Sequence, residues 1–346
     1  MIGVPGLLDA RIHSLPEALV RLASPSAQEE LATLTGEGIL WVDLPAEDPE
    51  PLSQSALAKT LALLDCLACP TLARVPEAAS RSIEDLAAGF DLRIDATEDP
   101  LPLLRAMDQA PLASLALVQL LRHNAQCDQH QGLIAESLVY STLQSGPEFQ
   151  RWLARNPRPS SNHLKASVLR VDRLGDELVL TLDQPSRHNA FGVALRDALA
   201  EAFRLAATDD SIRRVLMRAE GPSFCSGGDL DEFGDFPDPA TAHVVRSTRH
   251  PGRLLCGLRQ ESAAELHGAC IGAGVELPAF MTKVAARMDS FFALPEVGMG
   301  LVPGAGGTVS LPRRIGRQRT ARLAITGERI DAVTAYRWGL VDELIS

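Results

Sequence analysis

Three glycine-rich segments between residues 223 and 307 constrain this chain more than anything else in it. They read SFCSGGDL (223–230), HGACIGAGVEL (267–277) and LPEVGMGLVPGAGG (294–307). Glycine at such density lets backbone approach backbone, or a ligand, more closely than a side chain permits. The second and third segments each carry one glutamate, Glu276 and Glu296, 20 positions apart. Glu276 falls just after Gly272-Ala273-Gly274, in what reads as the first turn of a helix. Glu296 follows Leu294-Pro295 and is flanked by FFALP before it and VGMGLV after it, which predicts a buried setting. Two carboxyls facing one poorly solvated pocket cannot both ionise cheaply, so one keeps its proton near neutrality. Such a pair offers one acid and one base.

Composition narrows the classes of partner. A net charge of -11 leaves no basic face for nucleic acid or for an anionic membrane. No apolar run approaches the ~20 residues that span a bilayer. The N-terminus carries Asp9 and Arg11 where a signal peptide keeps its apolar stretch, so a cytoplasmic location is the expectation. Six scattered cysteines do not form a disulfide framework. Cys66 and Cys69 make a C-x-x-C with no second ligand pair near it, and we read them as buried, inert thiols. No metal site is expected.

A stretch rich in proline and polar residues, NPRPSSN (156–162), reads as a linker between residues 1–160 and residues 161–346. Before it, apolar runs at 38–44, 70–75 and 90–95 read as short strands. They alternate with helical stretches at 53–64 and 80–88, which predicts a small parallel α/β layer. Residues 102–153 carry helical periodicity throughout. After the linker, 168–171 and 178–182 read as a hairpin around Gly175. Helix 194–205, strand 214–218, helix 250–258, strand 262–266, helix 274–281 and strands 284–287 and 291–294 follow.

From about Ser167 to Ser346 this order of motifs resembles the crotonase (enoyl-CoA hydratase/isomerase) superfamily. The resemblance implies an α/β fold with a spiral of β-β-α units, preceded here by an accessory α/β and helical region. It implies an acyl-CoA thioester as substrate and two backbone amides, those of Gly228 and Ala273, as an oxyanion hole. Alanine replaces the family's usual glycine at 273, but the donor is a backbone group and survives the change. Glu296 would protonate C2 of a 2-enoyl thioester, and Glu276 would activate the water that attacks C3, with a shift of the double bond as the nearest variant. The coenzyme A moiety would meet Arg187, His188 and Ala190 of RHNAF (187–191), together with Ser226, Gly227, Asp229 and Leu230. Coenzyme A is then part of the substrate, and no separate cofactor is implied.

The family also implies a homo-oligomer, a trimer or a multiple of trimers. Two departures stand out. Thr282 replaces an aspartate six positions after the first glutamate, and the family's usual C-terminal helices are missing after Ser346. The long N-terminal region is expected to cover the surface those helices would cover. Two other readings of the resemblance remain: a cofactor-free dioxygenase acting on an arylacetyl-CoA, and a silent CoA-ester-binding or assembly protein.

Overall fold

The computed structural model describes residues 6–47, 52–157, 167–235 and 238–346. Much of the expected linker falls within residues 158–166 and lies outside the described residues. The first sheet is built from β1 (Ile12–Ser14), β2 (Leu40–Asp43), β3 (Thr71–Val75) and β4 (Leu92–Asp95), all parallel and in sequence order. Helices α1 (Leu15–Leu22), α2 (Ala27–Glu30), α3 (Gln54–Cys66) and α4 (Arg81–Ala87) connect the strands. Both faces of this sheet are covered. Leu40, Val42, Ala73 and Val75 pack into a local cluster with Leu15, Leu64 and Leu86. Trp41, Leu72, Leu92 and Ile94 point the other way, into the main core. Parallel sheets need that double cover because their crossover helices lie on the faces.

β2, β3 and β4 lie where apolar patterning places them. β1 and α1 were not foreseen, although Ser14-Leu-Pro-Glu17 is a helix-start signature: the Glu17 carboxylate accepts from Ser14 N at 3.0 Å. The helical region is four helices rather than one run: α5 (Leu101–Gln109), α6 (Pro111–Asn124), α7 (Gln129–Gln144) and α8 (Pro147–Arg155). Pro111 and Pro147 open two of them, where a missing N–H is tolerated. The start of α6 lacks a local cap. Glu148, from α8, supplies one by accepting from Leu112 N and Ala113 N, both at 2.9 Å.

Beyond the masked stretch, β5 (Leu169–Leu174) and β6 (Glu177–Leu182) form the expected hairpin, with Gly175 at φ +63°. After α9 (Val193–Thr208) come β7 (Arg214–Ala219), α10 (Pro239–Thr248) and α11 (Pro251–Cys256). Next are β8 (Glu261–Leu266), β9 (Ala269–Ile271), α12 (Ala273–Glu276), β10 (Lys283–Arg287) and β11 (Phe291–Ala293). The chain finishes with α13 (Gly307–Ile315), α14 (Arg317–Thr326), β12 (Ile330–Asp331), α15 (Ala332–Trp338) and β13 (Glu343–Ile345). The strands form a six-stranded sheet, β13-β10-β8-β7-β6-β5, and a three-stranded one, β12-β11-β9. Repeated strand–strand–helix turns stacked this way give the α/β spiral expected from the motif order.

Two expectations need correction. The helix expected over 274–281 stops at Glu276, and a 3-10 turn, Pro278–Phe280, follows. Pro278 has no N–H to give the carbonyl of Gly274, so the α-helical ladder cannot continue. The pair Cys66 and Cys69 is not uniformly buried. Cys66 is exposed at the end of α3, whereas Cys69 is buried and desolvation pushes its thiol up to about 12.

The main core runs through both halves of the chain. Leu104, Met107, Leu117 and Phe149 share it with Leu180, Phe203, Met217 and Phe292. Polar ties reinforce the junction. Asn124 Nδ2 donates to Thr308 O and Oγ1 at 3.1 Å, and Arg317 Nη2 donates to Gly89 O at 2.8 Å.

Candidate active site

An isolated parallel bridge, Cys225 with Cys270, brings the first two glycine-rich segments side by side, and a second, Phe191 with Gly228, ties the 187–191 loop to the first of them. Cys225 N donates to Ala269 O at 3.1 Å and Ile271 N to Cys225 O at 3.0 Å. Beyond these bonds the segments part around a cavity of about 190 Å³ whose wall includes Gly228 and Ala273. Neither of their amides donates to an acceptor among the described residues. Gly272, at φ +51°, turns the chain so that Ala273 opens α12, and any Cβ there would collide with the Glu296 carboxyl. Because α12 is only four residues long, the field at its start comes from a few amides rather than a long helix dipole.

Glu276 and Glu296 line the same cavity. Glu276 is 2% exposed, and its Oε2 accepts from Ala305 N and Gly307 N, both at 2.8 Å. The GAGG turn of the third segment is therefore an anchor for this carboxyl. Burial raises Glu276 to about 7, although the two amides pull the other way. Glu296 is 9% exposed, and its Oε2 is buried without a hydrogen-bond partner. Burial first, and then repulsion from Glu276, hold its carboxyl well above the usual range. One carboxyl is thus anchored by donors that favour its charge, while the other is bare and favours its proton.

A third buried acid stands behind them. Glu136, on α7, accepts from Gly306 N at 2.7 Å, Thr308 N at 3.0 Å and Thr308 Oγ1 at 2.6 Å. Burial and the neighbouring Glu276 raise it as well. Glu136 holds the turn that in turn holds Glu276. One helical turn along α7, Tyr140 packs against Gly304, and Tyr140 and Gln144 both line the cavity. The N-terminal helical region thus supplies one wall of the site.

The sequence predicts cover from the N-terminal helical region but does not single out these residues. Glu136, Tyr140 and Gln144 recur at the four-residue spacing of one helical face, with Ser137 and Ser141 beside them. Polar residues aligned on a face that must also be buried were the available signal. Also missed were the cavity residues Arg196, Arg246, Arg249 and His250. Burial lowers His250 to about 4, so it is neutral near pH 7.

The residues expected to meet coenzyme A are gathered only in part. Asp229 lines the cavity, but Arg187, His188, Ala190, Ser226, Gly227 and Leu230 are not on its wall. Arg187 Nη2 donates to Asp229 Oδ1 at 2.7 Å and to Asp231 Oδ2 at 2.6 Å. His188, at φ 51°, pairs its Nδ1 with Ser223 Oγ at 3.0 Å and accepts at its carbonyl from Ser226 N. Ala190 N closes a turn onto Arg187 O, and Gly227 O accepts from Phe191 N. Leu230 is 49% exposed. These residues form a tied loop next to the cavity mouth.

Residues 177–346 match a family model described as enoyl-CoA hydratase/isomerase. Over 178 residues the chain is 34% identical to the 2,3-dehydroadipyl-CoA hydratase of Escherichia coli (strain K12), covering 51% of this chain and 69% of that protein. The chain belongs to the enoyl-CoA hydratase/isomerase family. It is also 33% identical over 174 residues to the enoyl-CoA isomerase/hydratase fer4 of Mycosarcoma maydis, covering 48% of this chain and 64% of that one. It therefore spans about two thirds of the length of these two relatives. A crystal structure of an enoyl-CoA hydratase from Mycobacterium smegmatis matches with a TM-score of 0.48 at 32% identity, over 52% of this chain and 70% of that chain. As a member of the enoyl-CoA hydratase/isomerase family, the chain is a crotonase-family enzyme. The family match begins at Glu177 and leaves the α7 wall outside it. Among the described residues, no helix is long and apolar enough to cross a membrane.

Proposed function

We propose that the protein hydrates the 2,3 double bond of an enoyl-CoA, with a shift of that bond as the nearest variant reaction. The observation that carries this reading is the unequal pair of carboxyls in one cavity with two unengaged amides. The thioester oxygen would lie between Gly228 N and Ala273 N. Donors aimed at developing charge in a site of low dielectric are worth roughly 3–4 kcal/mol each. Glu276, as the carboxylate, takes a proton from water while the water oxygen bonds to C3. Glu296, as the acid, gives its proton to C2, and the π bond is consumed. Proton exchange between the carboxyls and solvent resets the site. As written, the reaction calls for no group beyond the CoA ester, water and these residues.

The test follows loss of the conjugated enoyl-thioester absorbance over a panel of aliphatic and aromatic enoyl-CoAs. Hydration of at least one member, abolished by Glu296→Gln with CoA-ester binding retained, is the expected result. Oxygen uptake with a dihydroxyphenylacetyl-CoA and no hydration would replace this reading with a dioxygenase. Tight binding without turnover of any ester would make the protein a binding module.

A further inference from the structure

Three arginines line the cavity, and they are not alike. Arg196 pairs with Asp197 at 2.8 Å, and Arg249 pairs with Asp197 at 3.4 Å. Arg246, on α10, has no carboxylate within ion-pair distance among the described residues. Its Nε donates to Ser137 Oγ at 3.3 Å, and its Nη2 to Ser141 Oγ and to Gln144 Oε1, the last at 3.2 Å. Its Cζ lies 4.6 Å from the centre of the Tyr140 ring. Every one of these partners comes from α7, and every one is neutral. Nη1 has no acceptor among the described residues, so a guanidinium that is only partly solvated keeps N–H donors to spare. The neighbouring His250 is neutral, and Glu136, the carboxyl whose charge reaches the guanidinium, is already held by Gly306 N and Thr308 and makes no ion pair with it.

Holding a cation in a poorly solvated wall on neutral partners is costly unless a ligand brings the matching charge. The position of Arg246 says which part of a CoA ester can bring it. The arginine lies on Tyr140, Tyr140 packs on Gly304, and the next residue, Ala305, donates to the Glu276 carboxyl. Arg246 is therefore close to the groups assigned to the reacting carbons. The phosphates of coenzyme A lie at the far end of the long pantetheine arm. An anion near Arg246 has to belong to the acyl group.

Resting on the reading of this cavity as an acyl-CoA site, we propose that Arg246 receives a carboxylate on the acyl chain. The preferred substrates are then CoA thioesters of dicarboxylic acids. The N-terminal helix α7 sets this selectivity by aiming the guanidinium through Ser137, Ser141 and Gln144.

Adipyl-CoA and hexanoyl-CoA share six acyl carbons and differ in the terminal carboxylate; neither carries an enoyl bond to react. Calorimetric titration of the full chain should show adipyl-CoA binding about tenfold tighter or better, as one charge-assisted hydrogen-bonded contact allows. In Arg246→Met the ratio of the two dissociation constants should collapse towards one, and Arg246→Lys should recover part of it. Equal affinity of the wild-type protein for both esters overturns the proposal, even if no variant folds. An Arg246→Met variant that weakens both esters by the same factor also overturns it, because the arginine then meets the coenzyme. Selective binding of adipyl-CoA without hydration of any enoyl-CoA would sink the proposed reaction and leave this inference standing. Hydration without selectivity would do the reverse.

Discussion

At the scale of single residues, the carboxyl pair makes a prediction about pH. In the proposed reaction the rate depends on Glu276 being ionised and Glu296 being protonated. Activity should therefore fall on the acid side as pH drops through about 7, where Glu276 gains its proton. It should fall again on the alkaline side once Glu296 loses its own. Initial rates of enoyl-CoA hydration against pH check this, and a profile flat from pH 5 to 9 would contradict it. Stability should show the opposite trend. Native pKa values raised above the ordinary 4.5 mean that the folded state holds extra protons. That stabilisation is complete below about 4.5 and is lost as pH rises through about 7 for Glu276 and about 8 for Glu136. The turn at Ala273, whose amide is proposed to meet the thioester oxygen, gives a second prediction. Ala273→Gly keeps the amide and should change turnover little, whereas Ala273→Val forces a branched side chain into the turn. Since displacing reacting groups by about 1 Å can cost ~100-fold, the valine variant should be folded but crippled in kcat/KM. Normal turnover by that variant would reduce the segment to a packing turn.

At the scale of elements, α7 and the turn after Pro303 behave as one unit. Glu136→Gln removes a carboxylate that serves three donors and turns an amide NH2 toward them. Leaving buried donors unpaired costs about 1–3 kcal/mol. The turn that anchors Glu276 should shift, so kcat should fall more than affinity for CoA ester. The acid limb of the pH profile should also move up, because the Ala305 and Gly307 amides that hold Glu276 down lose their alignment when the turn shifts. Paired measurement of the denaturation midpoint and the pH profile separates this effect from simple destabilisation, which would leave the limb in place. The buried pair of Arg122 on α6 and Asp91 beside β4 gives another prediction. Arg122 Nε donates to Asp91 Oδ1 at 2.9 Å, and its remaining N–H groups serve Leu67 O and Cys69 O. Arg122→Met leaves the Asp91 carboxylate only Thr71 and the longer pair with Arg317, at 3.6 Å, and should cost about 3 kcal/mol in urea denaturation.

The same elements show what the sequence made legible. β2, β3 and β4 could be read because each is a short apolar run bounded by turn residues. The glycine segments could be read because glycine density and a flanked glutamate are local signals. Glu136 could not be found that way. Its role depends on donors 170 and 172 positions further along the chain, and an isolated glutamate on a helix looks solvated. The break at Pro278 carries the same local signature as a helix start, since Pro is at home in the first turn of a helix.

At the scale of the whole molecule, the core that joins Met107 and Phe149 to Phe203 and Phe292 leaves no apolar seam along which to cut. Whether residues 1–160 amount to a separate domain is open to a direct test. A chain beginning at Ser167 would bare the faces of α13 and α14 that now pack against α5, α6 and α7. It would also lose Tyr140, Gln144 and Glu136 from the site. We expect it to aggregate or to lose turnover by at least about 100-fold, as judged by size-exclusion chromatography and enoyl-CoA hydration. A soluble, fully active fragment would show that the N-terminal region is dispensable.

The bond from Glu136 to Gly306 also bears on the order in which the molecule comes into being. A ribosome delivers α7 long before it delivers the turn that α7 must grip. Closing a loop of that length adds only modest entropy, since the cost rises with the logarithm of its size. The delay is one of sequence, because contacts between distant segments form late. Until residues 304–308 have emerged, Glu136 can remain hydrated, and no base is held in place. The proposed reactive centre thus cannot close until the third glycine-rich segment has followed α7 out of the ribosome, 170 positions later.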